Sequence, residues 1–354
     1  MQLSALRHIY EAEAPFATVY LEAQPASADA EQKVRLRWEE LKSQLADAGA
    51  HEEALSALEN AVITENPTAV QTEGRVLVAN RTGLLLEEDF DATGAGGDHA
   101  ELGEPAQLGD YLRQRLRSVR MLVAVTDQEQ AVLRRLVLTS SDVLDTEEEQ
   151  TVEGSAVESV HKPRGQHLKH RQIQNTADEA AKQNIRDVLT QLKKTAQRFQ
   201  PDVVVLAGEV QGRRLLHNEL PHDLQQIAHE VESGGGIAAE SADEGAEQAL
   251  SEDLSDLARQ ITLERTRELT DRYREARAHN LAVEGAENIR RAVQLGAVET
   301  LLLRYDERAQ DEDQLLQAAA SVDAAVGLVG TGVADQAAAI LRYEAPVDQM
   351  DTQP

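Results

Sequence analysis

Apolar residues fill Phe16-Ala-Thr-Val-Tyr-Leu21 directly after Pro15, and the run predicts a strand. Val34, Trp38, Leu41 and Leu45 then recur at the spacing of one helix face, with Asp29 and Gln32 placed as a capping pair. A second helix opens near Glu52, turns Leu55, Leu58 and Val62 inward, and stops before Pro67. Arg75–Ala79 and Leu84–Leu86, split by Asn80-Arg-Thr-Gly83, read as a hairpin. The loop at 93–98 has glycines but no G-x-G-x-x-G, and acids flank it, so no phosphate site is expected there. This α/β unit ends near residue 117.

The next unit opens with two strands, Met121–Val125 and Val132–Leu138, joined across Asp127-Gln-Glu-Gln130. Asp145–Glu149 reads as an acidic loop. Ala181, Ile185, Val188, Leu192, Ala196 and Phe199 keep the spacing of a buried helical stripe, which Pro201 ends. Asp202–Ala207 reads as a fully buried, parallel strand. Short helices flank Pro221, and Gly234-Gly-Gly236 with the small and acidic residues after it reads as a linker.

A charged helix follows from Ser251 to about His279, and a shorter one from Ala286 to Leu295, capped by Gly296. Val298–Leu303 and Ala325–Val329 are strands on either side of a helix from Asp313 to Ser321. Gly330-Thr-Gly332 is expected to turn into a last helix, and Ile340–Tyr343 closes the unit. Such alternation implies a parallel sheet with helices on both faces. With 354 residues and about 100–200 per domain, the organisation is 1–117, 118–233, a linker at 234–250, 251–345, and a polar tail at 346–354.

Composition changes this picture in one place. The chain carries 35 Lys plus Arg against 63 Asp plus Glu, a net charge of −28, which ordinarily opposes nucleic acid. Yet residues 161–200 hold nine Lys and Arg against three acids, and five of the chain's seven lysines. No cysteine is present, which excludes disulfides, thiolate metal sites and cysteine nucleophiles. No run of about 18 apolar residues and no signal-peptide pattern occur, so a cytoplasmic protein without a membrane partner is expected.

Familiar catalytic constellations are missing. The Gly330-Thr-Gly332 turn lacks the third glycine of a dinucleotide fingerprint, Asp335 standing in its place, and reads as a plain turn. His167 and His170 are three apart with His161 nearby, but no carboxylate accompanies them and cations surround them, so no metal is expected. There is no G-x-S-x-G elbow, and acid pairs are too common here to single out a general acid and base. No cofactor and no catalytic residue are read from the sequence.

What remains is the basic segment, Val160-His-Lys-Pro-Arg-Gly-Gln-His-Leu-Lys-His-Arg-Gln-Ile-Gln174. Guanidinium forks match phosphate oxygens, imidazoles can stack on bases, and glutamine amides can bond base or sugar edges. The candidate RNA-binding residues are His161, Lys162, Arg164, Gly165, Gln166, His167, Lys169, His170 and Arg171.

The strand pair, the loop His161-Lys-Pro-Arg-Gly-Gln166, the long helix with Asn184, then Val204–Gly208 and Leu220-Pro221, resemble the middle domain of archaeal/eukaryotic-type peptide chain release factors and Pelota. Gly296–Leu303 and Ala339–Tyr343 resemble their third domain, and Ala14–Tyr20 is similar to the superfamily's bacterial branch, which includes the Balon-like ribosome hibernation factors. The resemblance implies three consecutive α/β domains in an elongated, Pelota-like chain. It implies a factor that occupies the ribosomal A site between the decoding centre and the peptidyl-transferase centre, with rRNA as its contact and no DNA. It also implies a surface on the third domain for a translational GTPase, elongation factor Tu being the candidate.

Release factors carry Gly-Gly-Gln at the loop tip. Here Arg164-Gly165-Gln166 loses the first glycine, and no Asn-Ile-Lys-Ser motif occurs in the first domain. Both departures point to a non-catalytic hibernation factor. A release or rescue factor that promotes peptidyl-tRNA hydrolysis is the alternative reading, and a small-molecule-binding α/β protein the third.

Overall fold

The computed structural model describes residues 1–22, 30–63, 74–90, 92, 96–126, 130–138, 143–153, 170–233, 244–330, 332–333 and 335–346. The Asp29 cap, the Asp127–Glu129 turn, residues 93–95 of the 93–98 loop, the glycines at 234–236, Thr331 and the tail from Val347 lie outside the described residues.

A 3-10 turn, Leu3–Leu6, leads into α1 (Arg7–Tyr10), followed by β1 (Phe16–Leu21), α2 (Ala30–Asp47), α3 (Glu52–Val62), β2 (Arg75–Asn80), β3 (Gly83–Asp89), β4 (His99–Gly103) and α4 (Gly109–Arg117). The strands form an antiparallel sheet in the order β3-β2-β1-β4. Alternation sorts β1 between two cores. Ala17, Val19 and Leu21 meet the α2 and α3 stripes, where Trp38 is fully buried. Phe16 and Tyr20 face the opposite side. β4 had no sequence signal. It forms because the free edge of β1 pairs with it, Ala17 opposite Leu102 and Val19 opposite Ala100.

Next come β5 (Val119–Thr126), β6 (Gln130–Leu138), β7 (Val143–Glu153), α5 (His170–Phe199), β8 (Val203–Gly208), α6 (Val210–Glu219), α7 (His222–Gln226), β9 (Ala228–Glu230) and α8 (Glu244–Ala278). Their sheet runs β7-β6-β5-β8-β9, and β5 and β8 are parallel, as the buried run at 202–207 predicts. Two expectations change. Asp145–Glu149 is part of edge strand β7 rather than a loop, paired to β6 with Glu147 opposite Arg135. Acids on an edge strand oppose pairing with a foreign strand. The helix expected from Ser251 begins at Glu244, inside the segment read as linker. Leu250, Leu254 and Leu257 pack on Val123, Val205 and Leu136, so the first half of α8 helps build the middle core.

The remaining elements are β10 (Ala282–Glu284), α9 (Ala286–Gln294), β11 (Val298–Arg304), α10 (Glu312–Ser321), β12 (Ala325–Val329) and β13 (Ala337–Leu341). The sheet order is β10-β13-β11-β12. Only β11 and β12 are parallel; β13 is antiparallel to both β10 and β11. The expected all-parallel sheet and the helix after Gly332 are therefore corrected. The connection from β12 to β13 is too short for a crossover helix, so the chain turns back instead.

The chain groups into two compact units, Met1–Arg117 with Leu263–Pro354, and Ser118–Thr262. In the first unit the amino- and carboxy-terminal sheets share one core, in which Leu3, Ile9, Phe16 and Leu108 pack with Leu301, Leu315 and Leu316. Residues 1–3 extend the carboxy-terminal sheet. Met1 N donates to Val326 O at 2.9 Å, Val326 N to Met1 O at 2.8 Å, and Leu3 N to Ala324 O at 3.1 Å. A buried ion pair reinforces the joint. Arg113 on α4 donates from Nε and Nη2 to the two oxygens of Glu312 at 2.6 and 2.7 Å, and from Nη1 and Nη2 to the carbonyls of Arg304 and Glu307. Beside it Asp313 accepts from Gly109 N at 2.7 Å and from Arg308 Nη2 at 2.8 Å, and burial raises its carboxyl above the usual range.

Candidate nucleic-acid interface

The topology of the middle unit fixes where β7 ends and where α5 begins. In the register of the sheet Thr126 sits opposite Gly208 of β8 and Ala131 of β6, while Glu153 of β7 pairs with Gln130. The carboxyl ends of β5, β7 and β8 therefore share one edge, where β7 ends at Glu153. The far end of α5 is fixed at the opposite edge, where the Arg120 guanidinium lies 4.4 Å over the Phe199 ring.

Length decides where α5 begins. Thirty residues of helix measure about 45 Å, whereas the nine residues of β6 span about 30 Å. With Phe199 fixed at one edge, α5 starts on the order of 15 Å beyond the other. Of the candidate residues, His170 and Arg171 form the first turn of this helix. His161, Lys162, Arg164, Gly165, Gln166, His167 and Lys169 lie outside the described residues.

The described half of α5 packs through Ile185, Val188, Leu192, Ala196 and Phe199 against Leu122, Ala124, Leu133 and Leu206. These helix positions are the predicted stripe from Ile185 onward, the Ala181 side chain lying outside the described residues, and Asn184 is buried beside them.

At the shared edge the backbone is close-packed. Gly208 has φ +93°, and a Cβ there would collide with the Thr126 backbone. Glu209 N then donates to Thr126 O at 2.8 Å, which starts α6 directly beside β5. Thr126 is fully buried, and its Oγ1 has no hydrogen-bond partner among the described residues. Gly208 was visible in the sequence only as the end of an apolar run. Its role as the contact between two parallel strand ends needed the register.

Elsewhere the ionisable groups act within the fold. Burial lifts the hydroxyls of Tyr10, Tyr20 and Tyr273 well above the ordinary tyrosine range. The Arg304 fork holds Asp306 below the usual carboxylate range. Among the described residues there is no group of three or more His, Asp or Glu side chains that could hold a metal ion, and no helix long and apolar enough to cross a membrane.

Of the comparisons with known proteins, the family match centres on this unit and the others extend over most of the chain. Residues 120–279 match the model of bacterial archaeo-eukaryotic release factor family 2. An uncharacterized protein of Mycobacterium tuberculosis, found in two strains, is 27% identical over 320 residues, covering 86% of this chain and 78% of the relative. Among solved structures, Saccharomyces cerevisiae Dom34, a translation termination-like factor, is 12% identical with a TM-score of 0.46, covering 81% of this chain and 84% of that one. The Archaeoglobus fulgidus Pelota structure is 16% identical with a TM-score of 0.30, covering 96% and 91%. The matched segment runs from β5 into α8 and contains Arg164-Gly165-Gln166, so over residues 120–279 the chain is similar to the bacterial archaeo-eukaryotic release factor family.

Proposed function

We propose that the protein is a ribosome-binding hibernation factor that occupies the A site of idle ribosomes without doing chemistry there. The observation that carries this reading is the family match over 120–279, which encloses a basic loop with Arg164 where a release factor has glycine. His161, Lys162, Arg164, Gly165, Gln166, His167, Lys169, His170 and Arg171 would contact rRNA. α5 begins past the sheet edge, which suits a loop that reaches into a narrow RNA-lined site. The acidic remainder, within a net charge of −28, opposes adhesion to RNA anywhere else. A translational GTPase such as elongation factor Tu would meet the carboxy-terminal sheet and its helices.

Two glycines allow a backbone to take positive φ and approach a substrate closely, and a side chain at the first makes that costly. Ester hydrolysis needs water held in line by such a backbone, and a guanidinium there pairs more naturally with phosphate. The retained Gly165-Gln166 favours a second reading, a rescue factor with hydrolytic activity. Release of labelled peptide from peptidyl-tRNA on loaded ribosomes separates the two. No release is expected, with or without a stop codon, and Gln166→Ala should change no rate. Release that disappears in Gln166→Ala would establish the rescue reading instead.

A further inference from the structure

Beyond the loop, we propose that the outward face of α5 is a second RNA contact, a cationic rail of Arg186, Lys193, Lys194 and Arg198 that follows a phosphate backbone. Between Gln183 and Phe199 the exposed residues are Gln183, Arg186, Thr190, Lys193, Lys194, Gln197 and Arg198. At 100° per residue they fall within one arc of about 140°, opposite the stripe that packs on the sheet. Asp187 is half-buried at the side of this arc and accepts from Gln183 Nε2 at 3.3 Å. It is the one acid among these positions.

The clustering of these cations sets them apart. In a chain with 63 acids, many arginines elsewhere meet carboxylates, as Arg259 does Asp256, Arg274 Asp271, Arg272 Glu299 and Arg290 Asp311, and exposed Arg214, Arg267 and Arg342, which form no ion pair among the described residues, stand apart along the chain. None of the four cations on α5 is in an ion pair among the described residues. Four cations gathered on one face without a carboxylate partner keep their donors open, and an external polyanion can take them up.

The chemistry of the face selects RNA among polyanions. From Arg186 to Lys193 to Arg198 the cations span twelve residues, about 18 Å, the axial rise of roughly five nucleotides of one strand. The interspersed side chains are Gln, Thr and Gln, which can bond sugar or base edges. No exposed apolar side chain lies on this face to enter a lipid interface, as a membrane-surface helix requires. The same helix begins at His170, in the basic segment.

The identity of the RNA as ribosomal rests on the reading above, but the phosphate contact can be measured without it. The full chain and the variant R186Q/K193Q/K194Q/R198Q should be titrated against a labelled short RNA duplex from about 50 to about 300 mM salt, and cosedimented with ribosomes in parallel. The four positions are exposed, so the variant should keep a cooperative melting transition, lowered by at most a few degrees as four cations leave an acidic chain. With about 0.7–0.9 counterions released per contact, the variant's salt slope should fall by about 3, and its affinity at least tenfold near the low-salt end. A control carrying R259Q/R274Q, two paired arginines, should bind as wild type does. Duplex binding lost in the rail variant, but no ribosome binding by the wild type, would sink the ribosome reading and leave the rail standing. A wild type that ignores the duplex, a rail variant with unchanged slope, or stronger binding to phosphatidylserine vesicles than to RNA would each overturn the rail.

Discussion

Arg113 illustrates how single residues fix this fold. Its guanidinium is buried against the carboxylate of Glu312, itself fully buried, and two carbonyls take further donors. Removing one partner of such a pair strands a charge, so Arg113→Ala should cost about 3–5 kcal/mol in urea denaturation. Replacing both by apolar residues, R113M/E312L, should recover most of that loss. If the double variant is as unstable as the single, the pair holds the joint by more than charge balance. Asp313 gives a pH signature. Burial holds its folded pKa above its ordinary value, against the pull of Arg308 and Gly109 N–H. A carboxyl raised by folding costs stability once ionised, and the cost grows as pH rises from the ordinary value through the raised one. The stability difference between wild type and Asp313→Asn should therefore move in favour of the variant as pH increases over that window. Movement the other way would place Asp313 as a net stabilising anion. At Gly208, positive φ and contact with the Thr126 backbone make Gly208→Ala cost at least about 2 kcal/mol.

At the scale of elements, residues 1–3 dock on β12 through a single antiparallel bridge, Gln2 opposite Ala325. Deleting Gln2 and Leu3 should expose the amide of Val326 to solvent exchange, since its acceptor is Met1 O. Retained protection there would show that β12 orders without that pairing. Nothing in the first ten residues of the sequence foretells this contact, because its partner lies more than three hundred positions away. The same cause explains the other misreadings. Asp145–Glu149 lacks apolar residues and is held in β7 by pairing with β6. Ala337-Ala-Ala339 has strong helix propensity, yet it forms β13 in mid-sheet, buried throughout, where small side chains fit between layers. Elements with a strong period, such as α5 and the run at Val203–Gly208, were legible because burial on one or both faces decides them locally. The candidate site was legible only as chemistry. Charge and residue type marked 161–171, but the start of α5 beyond the sheet edge follows from strand register and helix length.

For the whole molecule, charge dominates behaviour in solution. Arginine outnumbers lysine four to one, and acids exceed bases by 28, so the folded chain repels itself. Screening this repulsion should raise the melting temperature by at least about 2 °C between roughly 0.1 and 1 M salt, where about 1 kcal/mol corresponds to 2–4 °C for units of this size. A flat or falling curve would mean the acids are neutralised within the fold. RNA binding should respond in the opposite sense, weakening with salt as counterion release demands. The central claim is occupancy of the A site, and the most direct measurement is binding of the purified protein to vacant ribosomes and to ribosomes whose A site already holds tRNA. Saturable binding to the vacant particles that is lost when tRNA fills the A site is the expected result, and equal binding to both, or binding to neither, would contradict it.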